Sequence, residues 1–233
     1  MIRACQRAGV ALMVGHSTRY RGPARALKSL LEEGRLGQVV MTEANISHSG
    51  GRRLTEAEWR WHREEAPGGP LMQLSVHAFD TLHYLFGPTR QATALSTSSL
   101  APSQIEDVFL ALLEFESGLL AYVGTNYLCP PVNYVRIYGV AGNVHSEDQQ
   151  VTFLKAAGDW NSHPEGVPVR EISAPAAEMA ELARAARAHG HPETGGKEGL
   201  LALGVAWACL LSAEQGCAVE VRQALGEAAA LAT

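Results

Sequence analysis

The run Asp107-Val-Phe-Leu-Ala-Leu-Leu-Glu-Phe115, then Glu116-Ser-Gly118, then Leu119-Leu-Ala-Tyr-Val-Gly-Thr-Asn-Tyr127 decides the fold. Two β-rich segments of strand length flank a short Ser-Gly turn, which reads as an antiparallel hairpin. Segments of the same kind follow and precede it at residues 38–47, 92–100, 134–140 and 151–154, with a further turn at residues 139–142. Helical patterns lie outside this block. Residues 2–8 end on Gly9, and Pro23 opens a helix toward Gly34 that carries Leu27, Leu30 and Leu31 on one face. Residues 71–86 stop at Gly87-Pro88. Residues 175–189 set Met179, Leu182, Ala183 and Ala186 in one apolar stripe. Residues 197–216 form a last long helix and residues 218–221 a closing short strand. Strands gathered between helices, without βαβ alternation, predict an α+β fold: a large, mainly antiparallel (mixed) open sheet with helices on one face. One piece does not fit that scheme. Val10-Ala-Leu-Met-Val14 is a continuous apolar run of the kind buried on both faces of a parallel sheet, so residues 2–14 read as a helix–strand unit of an α/β domain.

Composition narrows the function. The chain has 233 residues, 46% hydrophobic and 18% charged, an ordinary globular balance. A net charge of −5 argues against nucleic acid, and Glu56, Glu58, Glu64 and Glu65 offset the arginines around Trp59 and Trp61. Cys5, Cys129, Cys209 and Cys217 form no CxxC pair, and no HExxH occurs, so no metal site is expected. The N-terminus has no apolar core of a signal peptide. The longest uncharged stretch, residues 199–213, is shorter than the roughly 20 residues that span a bilayer and reads as a buried helix. A soluble, cytoplasmic protein without membrane or nucleic-acid partners is expected. There is no GxSxG and no GxGxxG. Gly195-Gly196-Lys197 ends like a P-loop, but His191 stands where the first glycine belongs and Glu198 follows the lysine.

The segment that carries candidate chemistry is Gly68-Gly-Pro-Leu-Met-Gln-Leu-Ser-Val-His-Ala-Phe-Asp80. As an α-helix it puts Gln73, His77, Asp80 and Tyr84 on one side and Leu71, Leu74, Ala78, Leu82 and Leu85 on the other. A histidine on the polar side has an ordinary pKa suited to proton transfer near neutrality; a hydrogen-bonded core histidine reads equally from the pattern. His16 follows the Val14-Gly15 strand end, where α/β proteins place ligands, and Arg19 could grip a phosphate or carboxylate. A capping or surface role is the alternative for both.

Taken together, four stretches resemble the glucose–fructose oxidoreductase/inositol dehydrogenase/rhizopine-catabolism (Gfo/Idh/MocA) family of NAD(P)-dependent sugar and polyol oxidoreductases. They are residues 8–16 with Arg19; residues 27–37, ending Glu-Gly-Arg-Leu-Gly; residues 68–87 through His77 and Asp80; and residues 198–219. The resemblance implies a catalytic role for His77, with Gln73 standing where the family commonly has aspartate. Glutamine cannot shuttle a proton, but it can hydrogen-bond a substrate hydroxyl or hold His77. Asp80, with Arg19 and His16, is expected to bind or orient the substrate. The resemblance also implies NAD or NADP as cofactor, a sugar or polyol as substrate, and a homo-oligomer through the open sheet face. Residues 1–15 then read as a remnant of the dinucleotide-binding domain and residues 16–233 as the substrate-binding/oligomerisation domain. The Gly-rich fingerprint and the family's catalytic lysine have no counterpart in this sequence. No cofactor-binding residue is therefore assigned, and tight NAD(P) binding by the chain alone is not expected. A complete family member should need well over 300 residues, because a nucleotide domain adds roughly 120 to a chain of this length. The alternative is a stand-alone, non-catalytic sugar-binding or dimerisation domain.

Overall fold

The computed structural model describes residues 1–99, 103–155, 163–188, 190–226 and 228. Among them, nine strands form one sheet in the order β8-β7-β6-β5-β1-β4-β3-β2-β9. The hairpin of β3 (Val108–Phe115) and β4 (Leu120–Asn126) lies near its centre, pairing Leu112 with Tyr122. Every described pairing is antiparallel except that of β1 (Val39–Ser47) with β4, which sets Ala44 beside Val123. β2 (Thr89–Thr97) joins β3, and β5 (Val132–Gly139), β6 (Gly142–Glu147) and β7 (Gln150–Lys155) form a meander on the other flank of β1. Two strands escape the sequence reading: β6, and the two-residue β8 (Glu165–Gly166). The closing strand β9 is Val219–Glu220.

Side chains alternate across the pleat, so one face is buried and the other is not. Ala94, Ala111, Val123 and Ala44 are cross-strand neighbours on the inner face. Small residues there let two helices lie close: α3 (Val76–Phe86) and α5 (Gly196–Gln215). Phe79, Phe109 and Phe115 fill the remaining volume. Helix α2 (Gly22–Glu32) covers the meander with Leu27 and Leu30 against Ile137, Val144 and Phe153. The outer face presents Leu95, Leu110, Leu112 and Leu120 to solvent, beside a polar band of Glu43, Tyr138 and Arg136.

Three expectations need correction. Helix α1 (Ile2–Ala8) forms and ends on Gly9 in the left-handed conformation, but Val10–Val14 builds no ladder. Its only described backbone tie to the rest is the Val14 N–H donating to Thr194 O, and its side chains lie in a groove opened by Gly196 and Gly199. With no neighbouring strand among the described residues, the run forms no ladder, and it is Leu12 and Val14 that pack against the α5 glycines. In helix α4 (Ala174–Arg187) the expected stripe is rotated: Met179 is 65% exposed, and the buried residues are Ala174 and Ala185. A Leu/Ala pattern in an alanine-rich helix fixes no single face. Third, residues 71–86 are not one α-helix: Leu71–Ser75 is a π-helical turn leading into α3. Leu100 and His189, the ends of two expected elements, lie outside the described residues. Helix α5 is long and apolar enough by composition to cross a membrane, and its inner side forms the core against the sheet.

Phe79 is fully buried in the core cluster that α3 shares with the sheet and α5, so Phe79→Ala is expected to cost about 3–5 kcal/mol; the urea midpoint at unchanged slope measures it.

Candidate active site

The 3₁₀ turn Ser17–Tyr20 and helix α3 meet through an ion pair. Arg19 donates from Nε to Asp80 Oδ2 at 2.8 Å and from Nη2 to Asp80 Oδ1 at 2.5 Å and to the Asp80 carbonyl at 3.3 Å. Both side chains are closed off from solvent, Asp80 at 1% exposure. A planar guanidinium fork matched to a carboxylate keeps such a buried pair together. Burial pushes the Asp80 pKa up, against the downward pull of the Arg19 hydrogen bonds and charge. The sequence reading gave Arg19 an external anion and Asp80 a substrate. The fold gives each to the other, so as placed they hold α3 rather than face a ligand.

His16 caps this turn and is 4% exposed. Its Nε2 lies 3.9 Å from Asp80 Oδ1, and its ring stands edge-to-face to that of His77, with centroids 5.6 Å apart. Burial, then the Arg19 charge, lowers the His16 pKa to about 4, so the ring is neutral. The expectation of a ligand at a strand end does not hold for His16, because no strand precedes it. His77 is half-buried; burial, reinforced by the charges of His16 and Arg21, lowers its pKa, and Asp80 opposes the shift. Its Nδ1 is buried without a hydrogen-bond partner among the described residues. A neutral His77 that carries its proton on Nδ1 leaves Nε2 as the acceptor. His16, Arg19, His77 and Asp80 thus form one cluster.

Gln73 belongs elsewhere. The π turn departs from the α-helical register, and π bulges of this kind recur at functional sites. Gly68 and Gly69 lead into it with φ of 73° and 40°, and a Cβ on Gly69 would stand 2.3 Å from the Glu106 carbonyl oxygen, so no larger residue fits there. Gln73 Oε1 accepts from Arg60 Nε at 2.7 Å and from the Tyr127 hydroxyl at 2.6 Å. Burial raises the Tyr127 pKa, so its hydroxyl stays protonated. These groups wall a cavity of about 490 Å³ with His48, Glu58, Leu54 and Leu74. His48 stacks on Tyr127 with centroids 5.1 Å apart, and its Nδ1 accepts from the Gly50 N–H at 2.9 Å. Sequence reasoning missed His48, Glu58 and Tyr127 and treated Arg60 only as part of a basic surface. The one local signal was an arginine between two tryptophans.

A dinucleotide finds no cradle among the described residues. The one Gly-Gly helix start followed by lysine, at α5, is closed. Glu198 accepts from the Gly195 N–H at 2.9 Å, and Ile2 and Leu12 fill the space where a Gly196 side chain would stand. No group of three or more metal-ligating side chains occurs among the described residues.

A sequence model described as the GFO/IDH/MocA C-terminal domain matches residues 24–145. The 1,5-anhydro-D-fructose reductase of Ensifer adhaerens is 25% identical over 97% of this chain and 68% of its own length. The D-apiose dehydrogenase of Paraburkholderia graminis is 29% identical over 99% of this chain and 64% of its own length. Among solved structures, a protein assigned as an NADPH-dependent oxidoreductase from Desulfitobacterium hafniense superimposes with a TM-score of 0.92 at 28% identity, covering 96% of this chain and 68% of that one. Levoglucosan dehydrogenase in complex with NADH shares the fold, with a TM-score of 0.81 at 18% identity over 92% of this chain and 67% of that one. The chain therefore spans about two thirds of the length of these relatives.

Two buried histidines set the acid response. His16 has its pKa lowered to about 4, and His83, whose Nε2 accepts from the Thr89 N–H, is lowered to about 3 by burial. The unfolded chain binds these protons near pH 6.5 and the folded chain does not, so this stability is complete above that pH and is lost as pH falls through the window to about 4. The expected loss is up to about 1.4 kcal/mol per pH unit for each histidine. Urea unfolding at pH 7, 6 and 5 measures the slope, and His16→Phe should remove about half of it.

Proposed function

Because the chain belongs to the Gfo/Idh/MocA family, by a match over residues 24–145, we propose that it is the substrate-holding part of a sugar or polyol oxidoreductase that transfers hydride to or from NAD or NADP. Residues 16–233 act as the substrate-binding and oligomerisation domain, and residues 1–15 are the edge of the nucleotide domain. The observation that carries this reading is the half-buried His77, packed edge-to-face on buried His16, on the helix that directly follows the π turn whose Gln73 and Leu74 line a polar cavity of about 490 Å³. The sugar lies in that cavity. One hydroxyl reaches His77 Nε2, which accepts its proton as the carbon is oxidised and returns it in the reverse direction. Asp80 and Arg19 act on this step only by fixing α3, and His16 by packing on the His77 ring. Gln73 is a positioning residue: its carbonyl oxygen is already engaged by Arg60 and Tyr127.

The nicotinamide, when bound, would be held by residues outside this cluster and would supply or accept the hydride. The relatives, 1,5-anhydro-D-fructose reductase and D-apiose dehydrogenase among them, support a small sugar as substrate. The exposed leucines of the outer sheet face support a homo-oligomer through that face. A cytoplasmic location accords with the four cysteines being free.

Two measurements test the reading. In a calorimetric titration with D-glucose and myo-inositol, His77→Ala should weaken binding about tenfold, the worth of one good hydrogen bond inside a site; unchanged affinity would remove His77 from it. By light scattering, the unaltered chain should be a dimer or larger, and Leu112→Asp on the outer face should shift it toward monomer. A monomeric parent chain would count against the sheet-face interface.

A further inference from the structure

Arg60 is placed in a way that neither the helix nor the cavity requires. Its guanidinium is fixed at two points: Nε donates to Gln73 Oε1 at 2.7 Å, and the plane lies 4.7 Å over the Trp59 ring. Arginine nitrogens only donate, so the Arg60 bond also fixes which end of the Gln73 amide faces it. The partner is a neutral amide. Among the described residues, no carboxylate forms an ion pair with the positive charge at the cavity wall. With Nε spent, the two terminal nitrogens remain as a fork, the geometry that takes a planar oxyanion end-on.

Two neighbours sharpen the specificity. Glu58 lines the same cavity, but its Oε2 is turned back to accept from the Thr55 N–H at 2.9 Å and hydroxyl at 3.1 Å. It repels an anion placed beside it and accepts a hydroxyl proton instead. His48 accepts at Nδ1 from Gly50, so its proton sits on Nε2 and that nitrogen is a donor. The wall thus has a charged donor, a neutral donor and an acceptor.

We propose that the cavity selects an acidic sugar, a hydroxy compound whose carboxylate or phosphate is held by the Arg60 fork while a hydroxyl is held by Glu58. This rests on the reading that the cavity holds the sugar, and Arg60 is then the residue that determines substrate charge. Calorimetry on the full chain tests it with D-glucuronate, D-glucose 6-phosphate and D-glucose as probes, at low salt and at 0.5 M salt. Glucuronate or the phosphate should bind about tenfold tighter than glucose at low salt, as for one charge-assisted fork at a partly exposed site. The excess should shrink with salt. The better of the two acids identifies the anion. Arg60→Gln should abolish the preference, read as the ratio of acid to glucose affinity within the variant. Arg60→Lys, which keeps the charge and loses the fork, should retain part of it. Equal binding of acids and glucose, or an equal loss for both in Arg60→Gln, overturns the charge selection and leaves the sugar cavity standing. Binding of none of the three probes overturns both together.

Discussion

The Arg19–Asp80 pair is the constraint on which the rest of the site depends. It joins the turn that leaves the N-terminal segment to the one helix that lies on the sheet and carries His77. Taking two full charges out of water is expensive, and the pair is tolerated because three hydrogen bonds satisfy the fork and the carboxylate together. Breaking either half would leave the other buried and unpaired. The pair therefore adds less to net stability than to uniqueness: it allows one rotation and one height of α3 over the sheet. His16 is carried into place by the same turn, and its ring fixes one side of His77.

The sheet contributes in a different way. A mixed sheet needs a crossing wherever neighbours run parallel, and here that crossing lies between β1 and β4. The chain between them holds the 3₁₀ turns that carry His48 and Arg60, the π turn and α3 itself. Candidate functional residues are thus concentrated in the one connection that the parallel pairing makes long. The hairpin of β3 and β4 closes it, and Tyr127 at the end of β4 returns to meet Gln73. Topology brings together residues that are 54 positions apart in sequence.

Much of this was legible beforehand. Strand segments, the helix ends at Gly9 and Gly216, and the polar side of α3 follow from period and punctuation, which are local properties. His77 and Asp80 were readable for the same reason. The departures have physical causes as well. An apolar pentamer such as Val10–Val14 is a strand only if another strand meets it, and no local pattern says whether one does. The π turn needs a break in register that the smooth sequence of Leu71–Ser75 does not display. For Arg19 the sequence points to an external anion, whereas the fold pairs it with an internal aspartate 61 residues away. The cavity residues His48, Glu58 and Tyr127 escaped because their nearness is a product of the crossing, not of any spacing.

The groove formed by Gly196 and Gly199 gives the N-terminal segment a particular status. A Cβ on either glycine would sit 2.5–2.8 Å from atoms of Ile2, Leu12 or Val14. The first fifteen residues are consequently held by the lack of two side chains more than by bonds of their own, and α1 buries none of its residues. The core that the sheet builds with its covering helices therefore includes none of the side chains of α1. Whatever pulls on or shields that segment is thus mechanically coupled to the start of α5, and through the Val14–Thr194 bond to Tyr20 and the turn holding Arg19. The edge of the molecule and its charged centre are two ends of one lever.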